Sequence, residues 1–168
     1  MAFNLRPAGA ADAAAIQEIY KHYCLHGHAT FEEEPPSVEQ IAARMAAVQA
    51  RDLPFVVAEI GGVVRGYAYA SAFRERAAYR YTAEDSVYVD PAFVGQGLGR
   101  TLLGAVIDAC EAKGVRQLLA LIGGSDNAGS IALHHAFGFQ PVGTMTEVGF
   151  KHGCWVDVVV MQLALKSG

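Results

Sequence analysis

The chain has 168 residues, 52% hydrophobic and 18% charged, a composition that excludes a disordered or fibrous chain and suits one domain, 1–168, with its own core. The formal net charge is −4 with no basic run, which argues against nucleic acid as the main partner. Cys24, Cys110 and Cys154 are odd in number and form no C-x-x-C pair. With no signal-like N-terminus or membrane-length apolar segment, they read as reduced thiols of a cytoplasmic protein that has no membrane partner.

Phe3 to Arg6 alternates and stops at Pro7, predicting a short first strand. Asp12 is placed to cap a helix carrying Ile16, Ile19, Tyr20 and Tyr23 at helical spacing. Gly27 to Pro36 breaks that helix, and Ser37 starts a second one with Ile41, Met45 and Val48 on one face. The texture then turns to β: Phe55 to Ile60, a Gly61-Gly62 hairpin turn, and Val63 to Phe73 returning. Tyr81 to Val89 is a further strand, ended by Asp90-Pro91. Gly99 to Lys113 is a helix with Leu102, Leu103, Val106, Ile107 and Cys110 as its buried stripe and Gly114 as its stop. Val115 to Ile122 is an apolar strand, Asn127 to Ala136 a short helix, and Gln140 to Glu147 with Trp155 to Leu165 a last β pair. The order β-α-α-β-β-β-α-β-α-β-β predicts one α/β domain (α+β in layout) built on a mixed sheet.

Between the third hairpin-type strand and the long helix lies Val94-Gly95-Gln96-Gly97-Leu98-Gly99-Arg100. Glycines at alternate positions let backbone N–H groups turn toward an anion, and the helix N-terminus adds unpaired donors. Arg100 can add a charge-assisted contact. The loop lacks the Lys-[Ser/Thr] of a P-loop, and it does not sit in the first βα unit that a dinucleotide fingerprint requires. By itself it supports an anion site or a plain tight turn.

Val87-Tyr88-Val89-Asp90-Pro91, Gly95 to Leu103, and the downstream block Asn127 to Phe139 resemble the two acetyl-CoA motifs of the GNAT N-acetyltransferase superfamily. Val94 departs from it, standing where Gln or Arg is usual. The resemblance implies acetyl-CoA as co-substrate and no metal. It places CoA contacts at Val87, Val89, Gly95, Gln96, Gly97, Leu98, Gly99, Arg100, Asn127 and Ser130. Tyr79 to Val89, Gly149 to Asp157 and the Thr30-Phe31-Glu32 loop followed by Pro35-Pro36 are similar to the phosphinothricin and methionine sulfoximine N-acetyltransferases, a likeness running from about residue 3 to 165. That narrower likeness implies a small amino-acid-like amine as substrate, and a homodimer.

The chemistry of the residues agrees. A protonated ammonium cannot attack a thioester, so a proton acceptor is needed, and Glu84, on the strand leading into the glycine loop, is the candidate. His134 stands where many GNAT enzymes carry a Tyr near the departing thiolate, and imidazole can donate or accept there. Arg74 and Arg76, at i, i+2, would point to one side if the strand continued and would suit a carboxylate or phosphinate. Phe31, Glu32, Tyr79 and Ser86 complete the expected acceptor pocket. A polyamine, aminoglycoside or peptide acceptor, or a non-catalytic acyl-CoA-binding module, would share part of this pattern.

Overall fold

A computed structural model describes residues 2–166 of the chain. Seven strands form one sheet in the order β1-β2-β3-β4-β5-β7-β6. They are β1 (Asn4–Pro7), β2 (Phe55–Ile60), β3 (Val63–Ala72), β4 (Thr82–Val89), β5 (Gln117–Gly123), β6 (Gln140–Lys151) and β7 (Cys154–Ala164). Four helices cover it: α1 (Ala13–Leu25), α2 (Val38–Ala50), α3 (Leu98–Ala112) and α4 (Ala128–Ala136). None of the described helices is long and apolar enough to cross a membrane.

The local signals act as expected at several joints. Ser37 and Gln40 form a capping box at the start of α2, with Gln40 N–H donating to Ser37 Oγ at 3.1 Å. Gly61 and Gly62 both have positive φ, 59° and 79°, as a two-residue turn matched to strand twist requires. Asp12 behaves differently. Its carboxylate makes no cap to α1; it accepts two hydrogen bonds from Arg6 at 2.8 Å each and one from Gly9 N–H. A strong cation on the neighbouring strand outcompetes the exposed helix end for this acceptor.

The sheet separates two cores. On one face α1 and α2 bury Ile16, Ile19, Ile41, Met45 and Val48 against Phe55, Val57 and Tyr67. On the other, α3 buries Leu98, Leu102, Leu103, Val106 and Cys110 against Ala58, Ala68, Ala70 and Leu118. The apolar stretch 156–165 falls mostly in β7, between β5 and β6, so it is a sheet-interior strand. The β6–β7 hairpin is longer than its sequence suggests. It pairs from Gln140↔Gln162 to Lys151↔Cys154, and an irregularity between Met145 and Gly149 carries Glu147 at φ 52°.

Among the described residues one pairing is parallel, and it matters most. β4 and β5 are in register only at Thr82↔Gln117, Ala83↔Leu118 and Glu84↔Leu119. Beyond Glu84 the two strands part, and the sheet opens into a wedge.

Candidate active site

A cleft of about 1040 Å³ fills this wedge. Its walls are β4 from Glu84 to Val89, β5 from Ala120 to Gly123, the glycine loop, the start of α4, and the chain between α1 and α2. Tyr81 C=O accepts from Arg116 N–H at 2.8 Å, so the odd-numbered residues of β4 aim their backbone groups toward β5. Past the last paired residue, the backbone groups of Val87 and Val89 therefore face the cleft. Tyr23 Oη donates to Val89 C=O at 2.6 Å and satisfies that carbonyl.

At the far end, Gly95 and Gly97 take φ of 80° and 91°, values an L side chain rarely adopts. Gly97 is the N-cap of α3, and the first bond of the helix runs from Thr101 N–H to Gly97 C=O at 3.1 Å. The amides of Leu98, Gly99 and Arg100 thus have no intrahelical acceptor. Open strand amides at one end and an anion-binding helix start at the other fit the pantetheine amides and the pyrophosphate of acetyl-CoA.

The cleft brings together most residues singled out from the sequence: Phe31, Glu84, Ser86, Val87, Val89, Gly95, Gly97, Gly99, Arg100, Asn127, Ser130 and His134. Val94, the departure from the family pattern, also lines it and is exposed. Others lie elsewhere. Leu98 is buried in the α3 core, so only its backbone can serve the site. Gln96 turns back to Ala92 C=O at 3.4 Å. Glu32 is held bidentately by Arg44 at 2.8 and 2.6 Å and also accepts from Tyr20 Oη, so its carboxylate is already committed. Arg74 and Arg76 do not continue the strand, because β3 stops at Ala72 and a helical turn follows at Ala77–Tyr79. Both are exposed and outside the cleft wall; Arg74 lies over the Phe73 ring at 4.9 Å, and Tyr79 meets the same ring edge-on.

Neighbouring residues of β4 point to opposite faces. Asp85 faces the α3 side, where it is buried against His134. Glu84 faces the other way, toward the α1–α2 compartment. It is half-buried, and burial, reinforced by the charge of Asp85, raises its pKa above the usual glutamate value.

His134 lines the cleft at only 4% exposure, and both ring nitrogens are occupied. Nδ1 lies 2.7 Å from Ser130 C=O, and a carbonyl only accepts, so Nδ1 carries a hydrogen. Nε2 lies 2.8 Å from Asp85 Oδ2, which requires a proton between them. This geometry suits an imidazolium beside a carboxylate. Burial alone would lower the histidine pKa, but the Asp85 hydrogen bond and charge and the Ser130 carbonyl outweigh it, so the net shift is upward. In this geometry neither nitrogen is free to meet a thiolate. The pair instead ties α4 to β4, while Asn127 Oδ1 caps the same helix through Ser130 N–H at 3.3 Å.

Sequence reasoning missed Asp85, Arg44 and Lys151. Asp85 carried a usable signal, since it alternates with Glu84 and must face the opposite side of the strand. Arg44 carried none, its partner being 12 residues away; Lys151 stood in the Gly149 to Asp157 block, but its partners, more than 100 residues away, were not legible. Among the described residues, no group of three or more His, Cys, Asp or Glu side chains could hold a metal ion.

Known proteins resemble this chain over most of its length. Residues 14–139 match the acetyltransferase (GNAT) family. The chain is 49% identical over 157 residues to a phosphinothricin N-acetyltransferase of Alcaligenes faecalis, covering 94% of this chain and 80% of that protein. It is 44% identical over 162 residues to an L-methionine sulfoximine/L-methionine sulfone acetyltransferase of Salmonella typhimurium, covering 96% and 94%. A crystal structure of a phosphinothricin acetyltransferase from Sinorhizobium meliloti in complex with acetyl-CoA superposes with a TM-score of 0.96 at 47% identity, covering 100% of this chain and 91% of that one. The chain therefore belongs to the GNAT family and is an N-acetyltransferase that uses acetyl-CoA.

Proposed function

We propose that the enzyme acetylates the α-amino group of a small amino-acid analogue of the methionine sulfoximine, methionine sulfone or phosphinothricin type, with Glu84 as general base. One observation carries this reading. Glu84 is the last β4 residue paired with β5, so its half-buried carboxylate stands at the apex of the wedge. Among the described residues it forms no ion pair. Acetyl-CoA supplies the thioester. Glu84 takes a proton from the acceptor's ammonium, directly or through water; the free amine then bonds to the acetyl carbon, the carbon–sulfur bond breaks, and the nitrogen's second surplus proton passes to solvent. The raised pKa strengthens Glu84 as a base. The thiolate leaves and takes a proton from solvent, since His134 is committed to Asp85 and Ser130.

The acceptor compartment has Phe31 and Ser86 on its walls. Ser71 pairs with Glu84 across β3 and β4, so the loop after β3 that bears Arg74 and Arg76 rises from the same end of the sheet. Their guanidinium groups have no carboxylate partner among the described residues and are the cations we assign to the acceptor's acidic groups. The names of the similar proteins support acceptors of this class. We place the enzyme in the cytoplasm, where its three unpaired thiols stay reduced. We pair it as a homodimer through the exposed apolar face of the β6–β7 hairpin, where Val142, Val148, Phe150 and Trp155 stand open.

Glu84→Gln tests the central assignment. It should lower kcat/KM by about 10²- to 10⁴-fold, the usual worth of a general base, with the Kd for acetyl-CoA unchanged. A variant that acetylates at the parent rate removes Glu84 from the mechanism.

A further inference from the structure

Lys151 ends β6 and is completely buried, at 0% exposure. A buried ammonium is costly unless it is paired, yet among the described residues no carboxylate oxygen lies within 4.0 Å of it. Its two hydrogen bonds go to backbone carbonyls, Thr30 at 2.7 Å and Tyr23 at 3.0 Å. Tyr23 is in the last turn of α1, where carbonyls lack intrahelical donors and the helix end carries partial negative charge. One cation thus caps α1 and grips the chain again seven residues later.

The segment between those grips leads to Phe31, 40% exposed on the cleft wall. Two glycines receive it. A Cβ at Gly149, two residues before Lys151, would overlap the Phe31 ring, coming within 2.6 Å of Cζ. A Cβ at Gly123, at the end of β5, would collide with the His28 carbonyl and lie 3.4 Å from the same ring. Thr30 is fixed from its other side by Tyr20 Oη at 2.7 Å. Nothing in the catalytic chemistry uses Lys151, Gly123 or Gly149, and Lys151 does not reach the cleft.

We propose that Lys151 is a positioning residue for acceptor recognition: it clamps the 27–31 segment so that Phe31 lies on Gly149 and Gly123 as a fixed wall of the acceptor compartment. The inference rests on the acceptor reading above. The clamp acts through Phe31, so its signature falls on the acceptor.

The test is a coupling experiment on the full chain, using whichever amine the wild-type enzyme acetylates. Lys151→Met should raise the acceptor KM at least tenfold, with kcat within threefold and the acetyl-CoA Kd within twofold. In a Phe31→Ala background the same substitution should change KM less than twofold. Equal factors in both backgrounds, or an equal loss of acetyl-CoA affinity, overturn the proposal. Gly149→Ala, which displaces the ring without touching the cation, should repeat the pattern if Lys151→Met does not fold; an unchanged KM for it is contrary evidence. Amide hydrogen exchange separates this idea from the acceptor assignment, because it needs no substrate. Lys151→Met should speed exchange of the hydrogen-bonded amides that flank the segment, His26 N–H to His22 C=O and Glu32 N–H to Thr30 Oγ1, at least tenfold while α3 stays protected, and unaltered exchange there refutes the clamp.

Discussion

The buried Asp85–His134 pair makes a prediction whose sign can be worked out in full. His134→Leu removes one partner and strands a carboxylate that is 7% exposed. Breaking a buried pair in this way costs about 3–5 kcal/mol. For a chain of this length that corresponds to a melting temperature lower by about 6 to 20 °C. Asp85→Asn is a different perturbation. Nδ1 of His134 still donates to Ser130 C=O, so in the neutral ring Nε2 becomes an acceptor that the new amide N–H can satisfy. The cost should stay below about 1.5 kcal/mol, the worth of one ordinary hydrogen bond.

The two proteins then differ in pH dependence. In the wild type the folded-state pKa of His134 lies above 6.5, so its contribution is full below that value and is lost as pH rises through the folded pKa. In Asp85→Asn that anion is gone, and burial, the largest influence, outweighs the Ser130 carbonyl and pushes the pKa down, so stability should instead fall as pH drops below 6.5. Thermal melts of wild type, Asp85→Asn and His134→Leu between pH 5.5 and 8.5 read out all three. Parallel pH slopes for the first two, or a His134→Leu melt within 1 °C of wild type, would show that the pair is not charged as described. Because His134 is assigned no proton transfer, Asp85→Asn should also keep kcat/KM within about fivefold, a barrier change of roughly 1 kcal/mol.

Three further outcomes are expected. The acidic limb of kcat/KM should have its midpoint above 4.5, because Glu84 must be ionised to act and its pKa is raised by burial and Asp85; Glu84→Gln should abolish that limb along with most of the rate. Arg74→Ala and Arg76→Ala should each raise the acceptor KM by about 13- to 160-fold, the 1.5–3 kcal/mol of a charge-assisted contact, and leave the acetyl-CoA Kd alone; steady-state kinetics at saturating cofactor decides it. Trp155, 65% exposed on the hairpin face, anchors the proposed dimer, so Trp155→Lys should shift sedimentation velocity from dimer toward monomer.

Much of this molecule was legible in its residues, and the reasons are local. Alternation in β2 and β3 and the helical stripe of α3 recur in the structure within a residue or two. The glycine loop sits where a strand yields to a helix because Gly95 and Gly97 take backbone angles other residues resist. What the chain order could not express are contacts made across it. Alternation placed Arg74 and Arg76 on one side of a strand, but the strand ends at Ala72 because the chain turns at 77–79 before β4 begins. Glu32 looked free to meet an amine, yet Arg44 on α2 holds it. His134 reads as a donor for the thiolate, yet Asp85, 49 residues earlier, stands against its Nε2. In each case a distant partner decided what a recognisable residue does.

The most direct measurement is release of CoA thiol by the purified enzyme with methionine sulfoximine, methionine sulfone and phosphinothricin, set beside a polyamine, an aminoglycoside and a peptide with a free N-terminus. Acetyl transfer to at least one of the three amino-acid analogues, with kcat/KM at least a hundredfold above every other amine, is the predicted result. Acetyl-CoA binding with no transfer to any of the three analogues, or faster transfer to the polycations or the peptide, contradicts it.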